Sequence, residues 1–422
     1  MIPGPNTAAR IPALRRYESR NVTSLSEDFP VFWESASEAT VTDVDGNSYV
    51  DLTAAFGVAN AGHSNPRVVA AIAGQAARLM HGMGDVHPTA VRTQLLERLA
   101  GAFPNGAAKT FLATTGSEAI EAALKTAMLA TGRGRFAAYR GAYHGLSLGT
   151  LPVCGVDKFR TPFAAALGPD AVMLEYPNAS SGITAQTAID RTRSELTASA
   201  GIAALVIEPI QGRGGCVVPP EGYLTALRAL CDDLGILMIV DEIYTGFGRT
   251  GTWFAIDREK VVPDILCIGK AMGSGFPISA AVGRPEIMDA WPVSTGEALH
   301  TSTYLGNPMG CAAALATFEE LERRRLPARA AAFEPTVRVR LDALRSNPVV
   351  VDVRGRGLLW GVQLSSAAAA ETTVKRALRA GVILLQCGPA GDVIAISPPL
   401  VIAENELMLA LDRLEAVLDG IE

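Results

Sequence analysis

The sequence predicts an α/β protein, with a mostly parallel central sheet in a large domain and a smaller α+β domain beside it. Three observations predict this. From about residue 90 to 310, short apolar runs alternate with segments of helical spacing, the pattern of a parallel sheet covered by helices. Five apolar residues, 236–240, run straight into Asp241 and Glu242, which reads as a strand buried on both faces with a carboxylate where it leaves the sheet. The chain has 422 residues, too many for one small domain and enough for a large one plus a smaller one.

Taken in order, residues 1–30 are polar and carry Pro3, Pro5, Pro12 and Pro30, which suggests an arm or short helix. Residues 39–52 hold Asp45-Gly46-Asn47 between two short apolar runs, a hairpin signal. Residues 57–66 are turn-rich, and Val68, Val69, Ile72 and Leu79 then mark a helix. In the alternating region, strands are expected at 109–113, 136–139, 171–174, 203–207, 236–240, 265–268 and 278–282, with helices at 91–102, 116–130 and 222–234. A long helix is expected over 308–325, then short strands at 349–354, 357–364, 382–385 and 393–397. The expected division is an N-terminal arm and part of the small domain over 1–60, the large domain over 61–310, and the rest of the small domain over 311–422.

Composition narrows the function. Hydrophobic content of 49% and charged content of 19% describe an ordinary globular core. The net charge of −6 and the lack of a strongly basic segment argue against nucleic acid as a partner. The six cysteines are scattered, form no CxxC pair, and read as buried thiols of a reducing compartment; no metal-ligand set is read. The N-terminus has no apolar core of signal-peptide length, and no apolar run approaches the roughly 18 residues of a membrane span. A cytoplasmic protein without membrane contact is expected.

Several strand ends carry chemistry. Asp241 and Lys270 end two successive strands, so an acid and an amine reach the edge of the sheet where ligands bind. Alone, the pair fits a structural ion pair as well as a Schiff-base amine with a partner for a pyridinium nitrogen. In Thr114-Thr-Gly-Ser-Glu-Ala119, Gly116 permits close approach, and Ser117 with the first free amides can hold a phosphate. Alone, that motif is more simply a helix cap. Tyr143 could stack on a flat ring, and its neighbour His144 reads as holding the loop by hydrogen bonds. Glu208 leaves the strand 203–207 and needs a partner, since an unpaired carboxylate there is costly. Arg213, among glycines, reaches either a substrate carboxylate or solvent. The segment 300–308 is a hydroxyl-rich turn before a helix.

Together, in this order and at these strand ends, the motifs resemble the class III (subgroup II) pyridoxal 5'-phosphate (PLP)-dependent aminotransferases of fold type I. These include 4-aminobutyrate, ornithine and acetylornithine aminotransferases and the ω-transaminases. The resemblance runs from Asp43-Val-Asp-Gly-Asn47 through Gly62-His63 to Ser397-Pro-Pro399. It is carried most specifically by Asp241-Glu-Ile-Tyr-Thr-Gly-Phe-Gly-Arg-Thr-Gly251 and Pro263-Asp-Ile-Leu-Cys-Ile-Gly-Lys270.

The resemblance implies an enzyme that moves an amino group from an amino acid or amine to a keto acid, aldehyde or ketone by a ping-pong path through a Lys270 Schiff base. It implies that Asp241 keeps the pyridine nitrogen protonated, that Gly116 and Ser117 bind the phosphate, that Tyr143 stacks on the ring, and that Glu208 belongs to the network beside Asp241. It implies a homodimer in which Thr303 reaches the phosphate from the neighbouring subunit. A racemase, epimerase or decarboxylase on the same scaffold is the alternative. A non-catalytic PLP-sensing module is a weaker one, since residues 1–60 are too short and not basic enough for a DNA-binding domain.

The chain also departs from the family. Many relatives have Gln where Tyr244 stands beside the ring hydroxyl. Many 4-aminobutyrate and ornithine enzymes have Glu where Arg213 stands, paired with an Arg near the position of Ala395. Both halves of that carboxylate switch look altered, which implies either that Arg213 binds the donor's carboxylate or that the acceptor lacks one.

Overall fold

The computed structural model describes residues 2–26, 29–104, 106–168 and 171–421. After the helix Pro5–Tyr17 come three strands, β1 (Trp33–Ser37), β2 (Thr40–Asp43) and β3 (Ser48–Asp51). The hairpin between β2 and β3 is tied by Asp43, whose carboxylate accepts from the amides of Asp45 and Asn47 and from the Tyr49 hydroxyl. The main sheet contains β4 (Lys109–Ala113), β5 (Arg135–Tyr139), β6 (Val172–Leu174), β7 (Ile202–Ile207), β8 (Leu237–Asp241), β9 (Ile265–Ile268) and β10 (Ser279–Gly283). Five more strands follow: β11 (Val350–Arg356), β12 (Leu359–Leu364), β13 (Val382–Ile383), β14 (Leu385–Cys387) and β15 (Val393–Ile396).

The seven-stranded sheet has the order β4-β10-β9-β8-β7-β5-β6, and only β10 runs against the others. The reason is connection length. Ten residues separate the end of β9 from the end of the turn before β10, fewer than the dozen or so needed for a parallel crossover, so the chain must turn back. The central strands are buried along their whole length; Ile202–Ile207 has no exposed residue. Helix Gly116–Thr131 covers one face with Ile120, Ala123 and Leu124 against Val206, Ile239 and Cys267. Helices Ala185–Thr197, Tyr223–Leu234 and Pro308–Arg323 contribute to the larger core that includes the other face. This two-sided cover is why the strands read as continuous apolar runs.

Two four-stranded sheets flank this unit: β1-β2-β3-β13 and β11-β12-β15-β14. The first joins distant parts of the chain, since Val382 and Ile383 pair in parallel with Val50 and Asp51. The Ala-rich stretch at 367 is the start of a helix, Ala367–Arg379, capped by the Ser366 hydroxyl. All six cysteines are buried free thiols. Among the described residues no helix is long and apolar enough to cross a membrane.

Candidate active site

Strands β4, β5, β7, β8 and β9 run the same way, so the segments after them share one edge of the sheet. That edge forms a cavity of about 390 Å³, lined by Gly116, Ser117, Tyr143, Glu208, Arg213, Asp241, Tyr244 and Lys270 among others. Eight residues expected from the sequence therefore meet in one place. Thr303 does not line it; it lies exposed on the turn before helix Pro308–Arg323.

Asp241, the last residue of β8, is buried. One carboxylate oxygen accepts from the Ile243 amide at 3.0 Å, and the other from His144 Nδ1 at 2.8 Å. His144 is also buried, and among the described residues its Nε2 has no partner. Burial alone pulls the His144 imidazole towards neutrality, but the bond and charge of Asp241 outweigh it and hold its pKa above the usual value. Glu208 accepts from the amides of Tyr143 at 2.9 Å and Gly212 at 3.0 Å, so it ties the loop after β5 to the loop after β7. Burial, reinforced by Asp241, pushes its carboxyl up to about 7, against the opposing pull of His144 and the two amides.

Lys270 follows β9 in a left-handed conformation, φ 46°, an unfavourable one for a non-glycine residue. Its ammonium nitrogen sits over the Tyr244 ring, 4.2 Å from the centroid. Burial lowers its pKa below the ordinary lysine value, while Asp241 and Glu208 act the other way. An amine so placed is readier to lose its proton and act as a nucleophile.

At the start of helix Gly116–Thr131, Thr115 caps the Glu118 amide, and Glu118 accepts from the amides of Thr114 and Thr115. This capping box leaves the amides of Gly116 and Ser117 without an acceptor among the described residues, at the positive end of the helix dipole. Gly145, φ 109°, lies so close that a Cβ there would fall 2.0 Å from Ser117 Oγ. The result is an anion cradle facing a cavity that also holds a buried acid, an amine and the half-buried Tyr143, whose ring packs edge-on against Phe159. These residues suit a flat phosphorylated pyridine aldehyde in charge, size and reactivity.

The family comparison decides the chemistry. Residues 22–418 match the model of the aminotransferase class-III family. The chain belongs to the class III aminotransferases. This class III chain is 37% identical to the 5-aminovalerate aminotransferase of Pseudomonas aeruginosa, over 96% of this chain and 97% of that one. It is also 37% identical to the acetylornithine aminotransferase of Methanopyrus kandleri, over 92% and 94%. Among solved structures it resembles a PLP-bound amine transaminase from an uncultivated Pseudomonas species, with TM-score 0.89 at 30% identity over 96% and 99%. It also resembles the ornithine aminotransferase of Toxoplasma gondii, with TM-score 0.86 at 30% identity over 97% and 94%. The class III enzyme has the fold type I architecture, uses PLP, and transfers amino groups between small molecules.

Two features of this class III site were not legible in the motifs. His144 reaches Asp241 directly, whereas from sequence it was expected to hold its own loop; its only signal was its place beside Tyr143 after a strand. Ser397 receives the Tyr244 hydroxyl at 2.9 Å, a contact across 153 positions with no local signal. Ala395 lies buried in β15, in an apolar cluster with Cys216 and Cys387 and with Tyr244 packed against it, so no charge enters from that strand position. Arg213 donates to the Gln386 carbonyl at 3.2 Å and has no carboxylate partner among the described residues.

Proposed function

We propose that Lys270 is the cofactor-bearing and proton-shuttling amine, that Asp241 holds positive charge at the pyridine nitrogen, and that the substrate carries a carboxylate bound by Arg213. The observation that carries this reading is the meeting of Lys270, Asp241 and the Gly116–Ser117 amides in one cavity. When bound, PLP supplies an electron sink that makes the proton beside the substrate nitrogen removable. The residues of the chain orient that chemistry. Gly116 and Ser117 offer free amides to the phosphate, Tyr143 offers a ring to stack, and Glu208 fixes the two loops that carry Tyr143 and Gly212. His144 donates to Asp241 and fixes the position of its carboxylate. The lowered pKa of Lys270 suits an amine that takes a proton from one carbon and returns it to another.

The substrate class follows from Arg213 and from the named relatives. A guanidinium at a cavity wall with no carboxylate partner among the described residues suits a carboxylate. 5-Aminovalerate and acetylornithine, the substrates in the relatives' names, each place a carboxylate several atoms from the reacting amine. We infer an ω-amino acid or a related amino carboxylate as donor and a keto acid as acceptor. The test is a donor and acceptor panel followed by the absorbance of the bound cofactor. Turnover of simple amines alone, with no carboxylate-bearing donor accepted, overturns the substrate assignment.

We also infer a cytoplasmic homodimer, divided near residues 60 and 310. Its supports are the buried free thiols, the pairing of β3 with β13, and exposed Met80, Met83 and Tyr304, whose segments meet at the His81–Tyr304 ring contact, with Thr303 next to Tyr304. Sedimentation as a monomer with full activity removes the dimer and the cross-subunit role of Thr303.

A further inference from the structure

Tyr244 is held in a way that leaves one part of it available to the site. A Cβ on Gly212 would fall 2.1 Å from Tyr244 Cδ1, and a Cβ on Gly57 would fall 2.4 Å from Cε2. Only glycines allow the ring to sit between these two segments, and they grip it at opposite edges. Its hydroxyl is spent elsewhere. Ser397 Oγ donates to the Thr53 carbonyl at 3.3 Å, so its oxygen is left to accept the phenol proton at 2.9 Å. What Tyr244 presents to the active site is the face of its ring, and the nitrogen of Lys270 lies over that face.

We propose that Tyr244 is a positioning residue acting through Lys270: its ring face holds the cationic lysine nitrogen and sets the pH at which that nitrogen loses its proton. The inference rests on Lys270 being the cofactor-bearing amine. An aromatic face attracts a cation through its quadrupole, and more strongly where water is excluded. The other charged groups acting on Lys270 are Asp241 and Glu208, with His144 acting through Asp241. Asp241 and Glu208 favour the cation, while burial opposes it. Tyr244 adds an uncharged cation-holding surface fixed at one place, so it both positions the nitrogen and offsets part of the cost of burial.

The hydroxyl and the ring face are separable by substitution. Tyr244→Phe keeps the face and removes the bond to Ser397. Tyr244→Leu and Tyr244→Met remove the face, and methionine fills the space between the two glycines with a flexible chain. The measurement is the pH midpoint of the visible absorbance change of the PLP-loaded enzyme, with a thermal melt to monitor the fold. The expected result is a midpoint lowered by about 0.5 to 1 pH unit in Y244L and Y244M, and unchanged to within about 0.2 unit in Y244F. A wild-type midpoint in a folded Y244M or Y244L overturns the proposal. So does a shift in Y244F as large as in Y244M, because the hydroxyl would then be the acting group. Wild-type protein that gives no visible band with PLP removes the Lys270 reading itself, a different failure from an unmoved midpoint.

Discussion

His144 Nδ1 and Asp241 Oδ2 lie 2.8 Å apart, both side chains buried, one from the loop after β5 and the other from the end of β8, 97 positions on in the chain. The pair is a charge-assisted hydrogen bond in a water-poor site, where removing one partner strands the other. His144→Ala is expected to weaken PLP retention and to lower kcat/KM by about 10- to 100-fold, which corresponds to the roughly 1.5–3 kcal/mol of a hydrogen bond to a charged group. Equilibrium dialysis of PLP against both proteins checks it; equal retention refutes the pairing as functional.

Lys270→Ala is expected to lose at least about 10³-fold in activity if, as proposed, Lys270 is both the nucleophile and the proton carrier. The protein should still fold, because Lys270 occupies a strained left-handed position that a smaller residue does not worsen. Borohydride treatment followed by mass spectrometry should fix PLP to the wild type and not to the variant.

Arg213→Ala is expected to cost a carboxylate-bearing donor about 10- to 100-fold in kcat/KM, mainly through KM, and a simple amine much less. Among the described residues its guanidinium donates to a backbone carbonyl and to no carboxylate, so there is no ion pair among them to break when it binds substrate. Half-reactions with each donor, followed by cofactor absorbance, make the comparison. Equal losses for the two donors refute the assignment.

Glu242 gives a pH prediction. It is buried, accepts from the Thr245 hydroxyl and the Ile256 amide, and burial pushes its carboxyl up to about 7. A carboxyl with a raised folded pKa contributes stability that is complete below its unfolded pKa of about 4.3 and is lost as pH rises through 7. Glu242→Gln should therefore flatten stability between about pH 4.3 and 7 relative to wild type, by at most about 4 kcal/mol. Urea melts across that window read the difference; parallel curves would falsify the assignment.

Gly212→Ala should shift the Tyr244 ring or the loop that carries Glu208 contacts, because the new methyl has 2.1 Å where ordinary contact needs over 3 Å. Overpacking of this kind costs about 1–3 kcal/mol. A lower Tm accompanied by reduced PLP affinity is expected, and an unchanged Tm with normal loading contradicts the grip on Tyr244.

Strands β7, β8 and β9 were legible because they are buried on both faces over nearly their whole length and so are apolar. The breaks in those runs, at Thr114, Glu208, Asp241 and Lys270, mark the cavity edge for the same reason: a polar group at a strand end must meet a ligand or a partner. The reversed direction of β10 follows from the short connection after Lys270, although the apolar pattern alone does not distinguish a parallel central strand from an antiparallel one.

By itself the sequence determined the α/β class, the acid and the amine at neighbouring strand ends, and the motifs by which the chain resembles its family, because these depend on local runs and short stretches. Only the tertiary structure decided that His144 meets Asp241, that Ser397 takes the Tyr244 hydroxyl, and that Arg213 bonds the Gln386 carbonyl and, among the described residues, no carboxylate. Such contacts join residues tens to hundreds of positions apart, and a side chain's partner across that distance is set by how the sheets and loops pack, which no local pattern encodes.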